Sequence, residues 1–198
     1  MEGVGRFGGG IYDNIVVEGV SSCSDDIKAE KIRIQGVFSC SGQIEAGELV
    51  CEGVSDFKAN IRARKLNVEG VFNTKKGVKI EAEEIICDGV IKASGEIYAD
   101  ILTADGCVTA TEVYGDRIKI HTHYSVNKIL KIFNKQKSEI KLIEATTIDI
   151  SGVMVDILNG RDITVGPNCT VDSIDCSGSL YIDPSSYVRN ISGDHVRR

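Results

Sequence analysis

Three histidines, seven cysteines and a recurring row of acids are the side chains of this 198-residue chain that could do chemistry. His121 and His123 are two residues apart, so on a strand both rings point to one side and could chelate a metal. Asp116 is close in sequence, but no third ligand is evident, and the alternative is an exposed polar strand end. His195 reads as solvated. The cysteines, at 23, 40, 51, 87, 107, 169 and 176, include no Cys-x-x-Cys pair and lack zinc-ligand spacing. No Gly-x-Ser-x-Gly turn, phosphate loop or paired-carboxylate signature occurs. The chain is therefore expected to be non-enzymatic, with no catalytic, cofactor-binding or metal residues. The acids Glu18, Glu52, Glu69, Asp88 and Asp105, interrupted by Gln35, form either a solvated or locally paired ladder or a stripe for cations or a partner.

The elements that must position these residues are copies of one short sentence. IVVEGV at 15–20 returns as IRIQGV at 32–37, LVCEGV at 49–54, LNVEGV at 66–71, IICDGV at 85–90 and LTADGC at 102–107. Its glycines (Gly19, Gly36, Gly53, Gly70, Gly89 and Gly106) step by 17, 17, 17, 19 and 17. An Ile-x-Ala phrase at Ile27, Ile44, Ile61, Ile80 and Ile97 keeps the same beat. The apolar residues alternate at strand spacing, and a unit this short cannot hold a helix pair. The expected fold is all-β: a three-sided parallel β-helix with about 17 residues per coil and about 4.8 Å between coils. Nine or ten coils would make a rod of about 40–50 Å. The column Val17, Ile34, Cys51, Val68, Cys87 and Ala104 and the column of phrase isoleucines read as core. The glycines suit a corner with positive φ or a close backbone approach. If the valine after each glycine points inward, the column Ser21, Phe38, Ser55, Phe72, Ile91 and Val108 is exposed and offers a lateral contact.

Composition fits this reading. Glycine numbers 21, proline 2 and tryptophan none, which suits stacked tight turns. A net charge of −6 without a basic, aromatic-interleaved stripe excludes nucleic acid as the expected partner. The start, MEGVGRFGGG, carries no apolar leader, and no segment reaches transmembrane length, so the expected location is cytoplasmic. Six of the seven cysteines occupy repeat positions otherwise filled by small or apolar residues, and read as buried thiols in a reducing compartment.

The domain plan is a flexible glycine-rich arm at 1–10, a main β-helix at 11–120, an insertion at 121–139, further β-helix at 140–190 and a tail at 191–198. The two extra residues before Gly89 fall in NTKKG at 73–77, a polar bulge. Within the insertion, Val126, Ile129, Leu130 and Phe133 fall at i, i+3, i+4 and i+7, which predicts an amphipathic helix over 126–135. Lys128, Lys131 and Lys135 lie opposite that face. Residues 125–138 carry +4 against −10 for the remainder. This stretch is a candidate contact for a membrane surface or an envelope-associated partner, or else packs on the β-helix.

A parallel β-helix ends in open strand edges that can template another chain. A head-to-tail contact between such ends does not close on itself and gives a filament. The candidate end contacts are Ile11, Tyr12, Ile15 and Val17 at the start, and Ile174, Cys176, Leu180 and Ile182 near the finish. The expected partner is another copy of the chain.

The Ile-x-Ala-x-x-Ile-x-Val-x-Gly-Val coil, with GRDITVGPNC at 160–169, resembles the bactofilin family of bacterial polymer-forming cytoskeletal proteins. The similarity covers nearly the whole chain and is greatest to longer Gram-positive members, which also carry a basic, leucine- or isoleucine-rich interruption. It implies a right-handed core, polymerisation without nucleotide and scaffolding at the cell envelope, in cell shape or in spore or wall assembly. Family members often attach to membrane through an N-terminal apolar segment; here residues 126–135 would have to supply that attachment, at the inner face of the cell membrane. The alternative reading is a scaffold that acts through 126–135 without obligatory polymerisation.

Overall fold

A computed structural model describes residues 3–122 and 138–197, and among them every regular element is a strand. The first coil comprises β1 (Val4–Phe7) and β2 (Gly10–Val17), the second β3 (Val20–Cys23) and β4 (Ile27–Ile34), and the third β5 (Val37–Cys40) and β6 (Ile44–Cys51). β7 (Val54–Phe57) with β8 (Ile61–Val68), β9 (Val71–Thr74) with β10 (Ile80–Cys87), and β11 (Val90–Lys92) with β12 (Glu96–Ala104) continue the series. Then follow β13 (Cys107–His121), β14 (Ser138–Ser151), β15 (Val153–Val165), β16 (Thr170–Cys176), β17 (Ser179–Ile182), β18 (Tyr187–Ser192) and β19 (Val196–Arg197). All pairings are parallel and in register, as in Ile27↔Ile44 and Ile44↔Ile61, and they form a β-solenoid of about 10 turns with about 17-residue spacing.

Each eight- or nine-residue strand bends once, and β13, β14 and β15, which run over more than one side, bend twice. The β4–β6 ladder pairs Ala29 with Ala46 and then Lys31 with Glu48, omitting Glu30 and Gly47. Ile27, Ala29, Ile32 and Ile34 all face the core, so the in–out alternation skips one step at that bend. It does not skip at the glycine: Val17, Ser21 and Cys23 keep one phase and are buried. The corner valines therefore point outward. Val20, Val37 and Val54 are exposed, while Phe38, Phe72, Ile91 and Val108 are fully buried, which reverses the expected assignment of these two columns.

The recurring corner glycines have no positive φ; close approach is what requires them. A Cβ on Gly36 would lie 1.9 Å from the Gly19 carbonyl oxygen, and one on Gly53 would lie 2.0 Å from that of Gly36. The same carbonyls accept hydrogen bonds from Val37 and Val54 at 2.8 and 2.9 Å, so the coils are drawn together there.

Two inward columns share the space beneath the short strands. Ser21, Phe38, Ser55 and Phe72 stack beside Cys23, Cys40, Phe57 and Thr74, so each coil from the third to the fifth holds one phenylalanine and one small residue. The rings touch between coils: Phe38–Phe57 centroids are 6.1 Å apart and Phe57–Phe72 centroids 4.8 Å. Pairing one ring with one small residue in each coil keeps the volume to be filled similar from coil to coil. Replacing Phe57 with alanine leaves a cavity that rigid neighbouring coils cannot close, and should cost about 3–5 kcal/mol in denaturant unfolding.

Two expectations are corrected at the ends of the stack. The stretch 3–10, expected as part of a flexible arm, belongs to the stack, because Val4–Phe7 pair with Val20–Cys23 and Phe7 stacks 5.7 Å from Phe38. The glycines there turn the chain from β1 into β2; Gly10 adopts φ 143°. The stretch 191–197, expected as part of a tail, also joins the stack, since β18 pairs with β16 and Val196 with Ser179. Pro184 sits in the turn between β17 and β18. The helix expected over 126–135 lies outside the described residues.

Candidate assembly surfaces

The surfaces available to a partner are the two ends and the three long sides. At the start, β1 pairs only with β3 and β2 only with β4, so their other edges are open among the described residues. Ile11 is 84% exposed. Tyr12 is half-buried, donates its hydroxyl to the Gly8 carbonyl at 2.8 Å and meets the Phe7 ring edge-on. Ile15 and Val17 point into the core and present only their backbone edges. At the other end Ile174, Cys176 and Leu180 are buried beneath a further layer, and Ile182 is half-buried. The outermost apolar positions are instead Val188, Ile191 and Val196, the last two within the stretch expected to be a tail. Val126, Lys128, Ile129, Leu130, Lys131, Phe133 and Lys135 lie outside the described residues.

The root of that segment is well defined. Thr122 and Ser138 are bonded hydroxyl to hydroxyl at 2.6 Å, and Ser138 Oγ also accepts from the Val108 amide at 2.9 Å. The chain thus leaves and re-enters the stack through one closed corner. His121, which precedes it, pairs through Nε2 with Asp149 Oδ1 at 3.0 Å, while His123 lies outside the described residues. No cluster of three potential metal ligands occurs among the described residues.

The acid column is locally paired at its centre. Glu52 accepts hydrogen bonds from Arg33 and from Gln35 Nε2, and the Arg33 bond holds its carboxyl below the usual range. The other two sides carry ladders of alternating sign that sequence reasoning missed. Lys28, Glu45, Arg62 and Glu81 follow one another in register, as do Lys31, Glu48, Lys65 and Glu84. Bridges of 2.5 Å (Lys28–Glu45), 2.7 Å (Lys31–Glu48) and 2.9 Å (Lys65–Glu84) join neighbouring coils. Being exposed, each adds little stability, but the native register sets opposite charges side by side all along both ladders. The repeat period was their legible signal.

An open groove of about 970 Å³ runs along the Ile-x-Ala column over Ala29, Ala46, Ala63 and Ala99. Its wall holds Tyr98 and Tyr114, stacked with centroids 4.9 Å apart. The bond from the Tyr114 hydroxyl to Glu112 at 2.5 Å pushes that phenol up to about 12.

All seven cysteines are free and buried, Cys23 and Cys40 in register with each other. Burial pushes the Cys40 thiol up to about 11 and Cys87 to about 12 from an ordinary 9.0. Because the folded-state values are raised, this contribution to stability is complete below pH 9 and is lost as pH rises through about 11 and 12. Urea midpoints should therefore fall between pH 8.5 and 10.5, and a thiol reagent at pH 8 should label the native chain only on unfolding.

These features define a parallel β-solenoid with open ends. No family model matches the chain, and no curated protein or solved structure matches it at a significant level. No helix among the described residues is long and apolar enough to cross a membrane.

Proposed function

We propose that this chain is a non-enzymatic structural protein that polymerises end to end, without nucleotide, into filaments one solenoid wide, in the manner of the bactofilins it resembles. The observation that carries this is the unbroken register of the stack up to two unpaired edges, β1 and β2 at one end and β18 and β19 at the other. Continuing the columns across a junction sets the next copy's Phe7 after Val188 and its Gly10 after Ile191. Unpaired amides and carbonyls are satisfied, and apolar columns run on. The solenoid is taken as right-handed, the hand that parallel crossovers overwhelmingly adopt. The role that follows is scaffolding of the cell envelope or cell shape from the cytoplasmic side.

Negative-stain electron microscopy of the purified chain, without nucleotide and at low and moderate salt, tests this. Filaments one rod wide are expected. Discrete particles at every concentration would sink the reading.

A further inference from the structure

The side formed by the short strands differs from the other two. Its outward column reads Val4, Val20, Val37, Val54, Val71 and Val90 in register, with a second column of Arg6, Ser22, Ser39, Asp56, Asn73 and Lys92 beside it. Exposure is 88% at Val4, 48% at Val20, 42% at Val37 and 36% at Val54. A shallow groove of about 290 Å³ lies over the first three coils between these columns. Outward valines are not needed to fill the core, and an unbroken apolar row on a flat, sparsely charged sheet is a surface suited to face-to-face packing.

We propose that this face pairs with the same face of a second copy, the two rods antiparallel about a two-fold axis that runs along the strands between the second and third coils. The charges select this arrangement. A two-fold along the strands keeps each column opposite itself and reverses coil order, so the first coil faces the fourth and the second faces the third. Arg6 then meets the second copy's Asp56, and Asp56 meets its Arg6, one ion pair at each margin. Between them Val4 packs on Val54 and Val20 on Val37, while Ser22 faces Ser39. Neither Arg6 nor Asp56 has an ion-pair partner among the described residues. A second copy is the occupant because its coils have the same spacing, so four successive layers match at once, and because an isologous contact closes with two subunits. This pairing does not require end-to-end assembly: it gives a dimer of single rods, or ribbons two rods wide where filaments form.

Sedimentation velocity of the full chain across concentration, with filament width read by microscopy, tests the proposal through charge reversal. Arg6→Asp alone and Asp56→Arg alone should each weaken pairing about tenfold or more, and the double variant should restore it, because both pairs are then re-formed with opposite polarity. Val37→Lys should abolish pairing; should that variant lose its circular-dichroism spectrum, the charge-reversal set still decides. Single and double reversals that behave alike would overturn the proposal. So would a chain that stays single at full length and pairs only once residues 123–137 are deleted. Single-rod filaments with unpaired sides would remove the pairing and leave the end-to-end reading standing, whereas pairs without filaments would do the reverse.

Discussion

Gly53→Ala should cost the rod about 3 kcal/mol or more and lower its melting midpoint by roughly 10 °C, read by circular dichroism. The added methyl would sit 2.0 Å from the Gly36 carbonyl oxygen. That oxygen is fixed, because it accepts from the Val54 amide at 2.9 Å, and Gly36 is itself bonded to Val17 in the coil before. Relief therefore requires two coils to separate, with loss of ladder bonds on both sides of the corner. Gly77→Ala is the control. Gly77 has φ 81° but open space around its Cβ position, so only the strain of a left-handed alanine remains, about 1 kcal/mol. Equal losses at the two sites would show that backbone freedom, and not close approach, makes the corner glycine necessary.

Val188→Glu and Phe7→Lys should each raise the concentration needed for filaments by about a hundredfold, as a charge is buried at the junction without a partner. Both residues lie in outermost coils and are partly buried, so the spectrum and most of the stability should survive. The double variant tests polarity. In a head-to-tail junction the new carboxylate of one copy follows the new ammonium of the next, and assembly should recover in part. Junctions between like ends would set like charges together, and the double variant would be worse than either single one. Recovery read by pelleting and microscopy supports the head-to-tail arrangement; further loss refutes it.

Much of the fold was legible because a period of 17 residues imposes register directly: residues one period apart must stack, as Cys23 and Cys40 do. Facing was harder to read. A Gly-Val pair at a corner looks like a core valine, yet the alternation passes through Gly19 unchanged from Val17 to Ser21 and breaks at Glu30. That one misplaced break exchanged the valine column for the phenylalanine column and concealed the valine face. The ends were hidden for a different reason. β1 and β19 are the first and last strands, without the repeated phrase around them, and only pairing with β3 and β17 reveals them. The alternating ladders follow from the same columns once signs are read down the stack.

Every coil touches chiefly the coils before and after it, with contacts some 17 residues apart in sequence. Stability in such a chain is set by interfaces between layers, and each separate rod carries two unfinished boundary layers from which fraying begins. A junction between copies converts two boundaries into one interior interface. Cohesion of the polymer and resistance of its subunits to unfolding would then be one quantity, so the melting temperature should climb with protein concentration and subunits should be lost from filament tips before they melt in the middle.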